Sequence, residues 1–272
     1  MLKFSRTQRI SAITKILMEN PNRVIGLNYF TELLNAAKST TSEDIVIVRD
    51  MLHFLDAGTI ETVAGAAGGV KYIVNAPENL RKNFPTELCE ILSDKDRIIT
   101  GNFLYMTDIL ANPDILQKAA LLLASTFKEE ELDYVITVET KGIPLAYEVA
   151  KLLGIQLVIV RRDSKVTEGT TISINYLSGS SKRIQSMSLS KKSLKKGSKC
   201  IFIDDFMKAG GTALGITELL REFECQLKGI GVLIDNNEVP KKLVDGYVSI
   251  VKYNGIDEQG NAVLKVSDNW CK

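Results

Sequence analysis

Residues 200–212 run Cys200, Ile201, Phe202, Ile203, Asp204, Asp205, Phe206, Met207, Lys208, Ala209, Gly210, Gly211, Thr212, and they constrain the fold more than any other stretch. Four apolar residues predict a buried strand. Two carboxylates then emerge at its C-terminal end, where open α/β sheets hold their ligands. Gly210 and Gly211 let the backbone approach an anion closely, and Thr212 adds a hydroxyl at the start of a helix whose free N–H groups and dipole favour phosphate. Acids beside a phosphate cup are compatible if a sugar lies between them. Asp204 and Asp205 would then accept from ribose hydroxyls while the loop holds the 5′-phosphate. The pattern therefore predicts a ribose 5-phosphate moiety and not a nucleoside triphosphate; two solvated aspartates at an ordinary strand–helix corner are the alternative.

The surrounding sequence fits such a strand. A helix is expected from Asn112-Pro113 to about Phe127, with an asparagine cap and a proline in the first turn. Tyr134–Val138 and Gln156–Val160 read as buried strands around a helix over Gly142–Leu153. Lys199–Ile203, Lys228–Ile234 and Tyr247–Val251 continue the series, with a helix over Gly211–Phe223. This alternation predicts a doubly wound parallel sheet. Residues 161–199 form a long connection with β-like pieces at Thr171–Tyr176 and Arg183–Leu189.

The first 75 residues have a different rhythm. Ile10, Ile13 and Leu17 recur at helical spacing, Pro21 closes that segment, and Leu27, Phe30 and Leu33/Leu34 mark a second helix. A third helix is expected to open on a capping box formed by Thr40 and Glu43, to carry an apolar face of Ile45, Val48, Leu52 and Leu55, and to stop at Gly58. Two strand-like runs then flank Ala66-Ala67-Gly68-Gly69. The glycines here lack the Lys-Ser/Thr of a nucleotide loop and open no helix. Three helices and a ribbon make a winged helix-turn-helix (1–75), followed by the α/β domain (76–272). The residues expected to meet DNA are Lys38, Ser39, Thr40, Thr41 and Ser42 at the start of the third helix, with Arg6 and Arg9 as phosphate contacts. A small helical domain with merely solvated basic residues is the alternative.

Charge sharpens the expectation. The net charge of +1 hides five basic groups against Glu19 in residues 1–23, and ten against Asp163 and Glu168 in residues 161–199. Two separated basic patches predict anionic partners at defined faces. The four cysteines form no CxxC pair and His53 is the single histidine, which argues against a zinc site and against Ser–His or Cys–His catalysis. Free thiols, no apolar run of membrane length and no signal-peptide core lead to the expectation of a cytoplasmic protein without membrane association.

Residues 200–212 closely resemble the motif by which type I phosphoribosyltransferases bind phosphoribosyl pyrophosphate (PRPP), with Ala209 in place of the usual first threonine. The resemblance extends to Glu139-Thr140-Lys141-Gly142, at the family's pyrophosphate loop, and to the basic stretch after Val160, at its flexible loop. Across nearly the full length the chain resembles the purine operon regulators of Gram-positive bacteria, the PurR family. The shared segments are SEDI, AGAAGGVKYI, TKGIPLAY, VTEGTTISINYLSGSS and IDDFMKAGGT. That resemblance implies a winged helix on a type I phosphoribosyltransferase-like domain, homodimers, operator DNA near purine genes, PRPP as the signal, and no phosphoribosyl transfer. PRPP would contact Thr140, Lys141, Gly142, Asp204, Asp205, Lys208, Ala209, Gly210, Gly211 and Thr212, with Arg161, Arg162 and Lys165 nearby. Mg²⁺ would accompany it through the phosphates. An active transferase carrying a DNA-binding domain is the alternative, although the tail offers no aromatic cluster beyond Trp270. Lys182, Arg183, Lys191, Lys192, Lys195 and Lys196 either touch DNA or form a solvated surface. The sign of regulation is not legible.

Overall fold

The computed structural model describes residues 3–65, 67–101, 103–128, 130–163, 169–177, 184–239 and 241–269. Lys165, Lys182, Arg183, Trp270 and Cys271 lie outside them.

Helix α1 (Arg6–Glu19) opens on a complete capping box, in which Ser5 and Gln8 bond each other's backbone amides. Helix α2 (Leu27–Leu34) ends on Asn35 in the left-handed conformation, and α3 (Lys38–Phe54) follows after two residues. That short turn corrects the expected cap. Helix α3 starts at Lys38 with Ala37 at the cap position, so Thr40 lies within the first turn. Leu55 caps the other end and is mostly exposed, outside the apolar face. Strands β1 (Gly58–Val63) and β2 (Gly69–Val74) form the antiparallel wing, and Ile25 bridges to Val70 as a third strand position. Arg49 ties α3 to the wing by donating to Ile60 O (2.8 Å) and Thr62 Oγ1 (3.2 Å).

The connection to the rest of the chain is short and hydrogen-bonded. Asp56 accepts from the Asn75 side chain (2.7 Å) and from the amide of Glu78, the first residue of α4 (Glu78–Leu92). A small ribbon, β3 (Ile98–Ile99) with β4 (Phe103–Leu104), and a single turn, α5 (Thr107–Leu110), precede α6 (Pro113–Thr126). Strands β5 (Tyr134–Val138) and β6 (Gln156–Val160) flank α7 (Ile143–Leu153) in sequence. A hairpin, β7 (Thr171–Leu177) and β8 (Ile184–Ser190), leads to β9 (Lys199–Met207), α8 (Gly211–Glu222), β10 (Gln226–Asn236), β11 (Tyr247–Ile256) and β12 (Ala262–Val266).

The main sheet runs β12-β11-β10-β9-β5-β6 and is parallel except for the edge strand β12. From β5 the chain winds outward to β6, then crosses back and winds the other way through β9, β10 and β11. The reversal lies between β5 and β9, the switch point at which open sheets bind ligands. Helices α4, α6 and α7 cover one face, and their buried residues join those of the winged helix in one apolar cluster. Helix α8 and the β7–β8 hairpin cover the other face.

Candidate functional site

The loops after β5 and β9 open into one cavity of about 790 Å³. Strand β9 continues four residues beyond the expected end, so Asp204 and Asp205 sit within its last turn of pleat and are only partly exposed. The Asp205 amide donates to Asp204 Oδ1 (3.0 Å). Burial and the adjacent Asp205 charge push the Asp204 carboxyl well above the usual aspartate range, while the Arg162 guanidinium pulls it back down in part.

Gly142 closes the other wall at the start of α7. A Cβ there would lie 2.6 Å from Asp204 Oδ1 and 2.8 Å from Thr137 Oγ1, so only glycine allows the two loops to meet. The buried Thr137 hydroxyl has no hydrogen-bond partner among the described residues. Thr140 and Lys141 are exposed beside it, and Lys208, Ala209 and Thr212 are partly exposed across the cavity. Gly210 adopts a left-handed φ of 81° and caps α8, whose first amides have no helical partner. All ten residues expected to bind the phosphate–sugar ligand line this cavity or, as Gly142 does, its wall. Arg162 and Asp163 also line it. Sequence reasoning missed a second group that lines the same cavity, Phe103, Phe206, Asn236, Glu238 and Tyr253. Phe206 and Tyr253 pack ring against ring at 6.4 Å there. Those residues are scattered over four strands and a loop and carry no local signature.

Among the described residues no group of three or more His, Cys, Asp or Glu side chains could hold a metal.

The winged helix divides the other candidates. Lys38, Ser39 and Arg6 are exposed. Ser42 is partly exposed and its hydroxyl donates to Lys38 O (2.9 Å). Thr40 is half-buried, whereas Thr41 is fully buried between α3 and its neighbours and cannot reach DNA. Arg9 is also spoken for: its guanidinium donates to Asp44 (2.6 Å) and to Phe4 O (3.0 Å), pinning α1 to α3. Arg6 lies 3.5 Å from the same buried carboxylate but remains 61% exposed. Lys191, Lys192, Lys195 and Lys196 are exposed on the far side of the sheet, with Lys196 paired to Glu224 (2.6 Å).

The family described as "Bacterial purine repressor, N-terminal" matches residues 5–74, and "Phosphoribosyl transferase domain" matches residues 106–266. The purine biosynthesis transcriptional repressor PurR of Bacillus subtilis is 46% identical over 279 residues, covering 100% of this chain and 98% of that protein. The chain belongs to the PurR family of purine biosynthesis transcriptional regulators. The purine biosynthesis transcriptional activator PurR of Lactococcus lactis is 39% identical over 252 residues, 93% of each chain. Repressors and activators thus share this architecture within the PurR family. Adenine phosphoribosyltransferase from Thermoanaerobacter pseudethanolicus superimposes with a TM-score of 0.53 at 20% identity, covering 61% of this chain and 98% of that one. That likeness fixes the fold of the larger domain. No helix among the described residues is long and apolar enough to cross a membrane.

Proposed function

We propose that this chain binds operator DNA as a homodimer and adjusts that binding by sensing PRPP, with Mg²⁺, in a pocket that does not turn the ligand over. One observation carries the reading: the paired aspartates, the Gly210–Thr212 helix start and the Thr140–Gly142 loop converge at the switch point of a chain whose other domain is a winged helix. Asp204 and Asp205 would accept hydrogen bonds from the ribose hydroxyls. The amides of Gly211 and Thr212 would hold the 5′-phosphate, and Lys141 with the loop before α7 the pyrophosphate. Magnesium would lower the repulsion between that pyrophosphate and the two carboxylates.

At the DNA end, Lys38 and Ser39 stand at the N-terminus of α3, where a recognition helix meets base edges, and Arg6 flanks them as a phosphate contact. Ligand and DNA would be linked through their joint effect on the arrangement of the two domains.

Calorimetric titration with Mg²⁺–PRPP tests the reading, alongside an Asp204→Ala/Asp205→Ala variant and an assay for base-dependent pyrophosphate release. Saturable binding that the variant loses, without pyrophosphate release from any common base, is the expected result. Release of pyrophosphate would establish an enzyme with an appended DNA-binding domain, and no binding would overturn the pocket assignment.

A further inference from the structure

The carbonyls of the phosphate loop are all engaged by residues that do not line the cavity. Lys208 O accepts from Lys242 Nζ (2.7 Å), Ala209 O from the Leu243 amide (2.9 Å), and Gly210 O from the Leu214 amide (2.9 Å). A peptide whose C=O is held in one direction presents its N–H in the opposite one. Engaging three successive carbonyls with residues outside the lining therefore turns the amides of Ala209, Gly210 and Gly211 to the other side of the loop, which lines the cavity.

Lys242 is the unusual member of this set. Its side chain is only 7% exposed, and its ammonium also lies 2.7 Å from Asp235 Oδ1 and donates to Asn236 O (2.5 Å). Asp235 is buried as well, and Tyr247 donates its hydroxyl to the second carboxylate oxygen (2.9 Å). A lysine is costly to bury unless its charge and its three donors are all used. Here the charge is paired with the Asp235 carboxylate, and two of the donors are used on backbone carbonyls. Val244 completes the support by closing over Gly210.

We infer that Lys242 is a positioning residue for the phosphate loop: held by Asp235, it fixes the Lys208 carbonyl so that the loop amides face the 5′-phosphate. This rests on the reading of the cavity as a phosphate–sugar site. It makes a selective prediction, because Lys242 bonds to the Lys208 carbonyl of the one loop, and no hydrogen bond or ion pair among the described residues joins it to Thr140–Gly142 on the opposite wall. Loss of the ammonium should loosen the grip on a 5′-phosphate and spare the grip on pyrophosphate.

The test compares ribose 5-phosphate and inorganic pyrophosphate as calorimetric ligands of the full chain and of Lys242→Met. The expected result is a dissociation constant for ribose 5-phosphate raised at least about tenfold, as when hydrogen bonds behind a binding shell are lost, with pyrophosphate affinity within about twofold of the unaltered protein. Lys242→Arg, which keeps a charged donor, should recover part of the loss. If Lys242→Met does not fold, Asp235→Asn/Lys242→Met removes both charges together and carries the same expectation. Unchanged ribose 5-phosphate affinity, or an equal loss for both ligands, would overturn the positioning role. An unaltered chain that binds neither ligand would instead overturn the pocket reading itself.

Discussion

Asp204 carries a conflict between stability and binding. Its carboxyl is held well above the ordinary value of 3.8 by burial and by Asp205, so the folded protein favours the protonated acid. A carboxyl raised on folding contributes stability that is fully present below its unfolded value and lost as pH rises through the folded one. Above that unfolded value, folding therefore carries a penalty at this residue. Asp204→Asn removes the charge while keeping the shape, and it is expected to stabilise the ligand-free protein by about 0.5–2 kcal/mol at pH 7. Thermal unfolding at pH 7 and below pH 4 checks this, since the gain should shrink toward acid. The same variant should lose PRPP binding by more than about tenfold, because an amide presents one acceptor where the carboxylate presents two. A variant that is less stable at pH 7 would contradict the assignment of strain to this residue. The acids and the glycine loop were legible in the sequence because they are contiguous, and chain order alone puts them at a strand end. Lys242 was not, because it lies 34 residues from the carbonyl it holds and looks like any other lysine in a chain with 34 basic residues.

At the scale of elements, periodicity was the dependable signal and end signals were less so. The buried face of α3 is where Ile45, Val48 and Leu52 place it, but Thr40 and Glu43 resemble a cap without forming one. The tight turn from Asn35 brings α3 in earlier, and Thr41 is buried as a consequence. Helix α4 was illegible for another reason: Pro85 sits in its interior, where it removes the bond to Arg81 O and disguises the helix. The packing of α1 on α3 separates two arginines that look equivalent in the sequence. Arg9→Ala leaves buried Asp44 without its principal partner and is expected to cost about 3–5 kcal/mol of stability, measurable by denaturant unfolding. Arg6→Ala should leave the unfolding midpoint nearly unchanged and weaken operator binding across all sequences. The slope of log affinity against log salt should fall by about 1 for that variant, the signature of one lost phosphate contact. An unaltered slope would remove Arg6 from the interface.

At the scale of the whole molecule, the two domains are joined by more than the chain that connects them. Their apolar residues form one cluster, and Lys128, just past the end of α6, donates to Asn75 (2.8 Å) at the end of the wing. Helix α7 spans the distance between the two candidate functions. It is capped at Gly142, against Asp204, and about 18 Å further on at Gly154, beneath the turn between α1 and α2. There Leu153 O accepts from the Asn22 side chain (2.9 Å), and the Asn22 amide donates to Tyr72 O (2.8 Å) in the wing. Gly154 has a left-handed φ of 65°, and a Cβ on it would collide with Pro21 O. A displacement at the Thr140–Gly142 loop would therefore reach the winged helix through one helix.

Gly154→Ala strains the backbone and forces the turn away from α7 together, so about 1–3 kcal/mol of destabilisation is expected. Its more telling effect is on linkage, because the pocket lies at the opposite end of the helix and keeps its residues. PRPP should bind the variant with nearly unaltered affinity, while the change in operator affinity that PRPP causes should shrink. The measurement is operator binding with and without saturating Mg²⁺–PRPP, for both proteins, at a temperature where both are folded. Since coupling is reciprocal, the shift in PRPP affinity caused by operator DNA must shrink by the same factor. A variant that keeps the full operator response would show that the signal reaches the winged helix by some route other than α7.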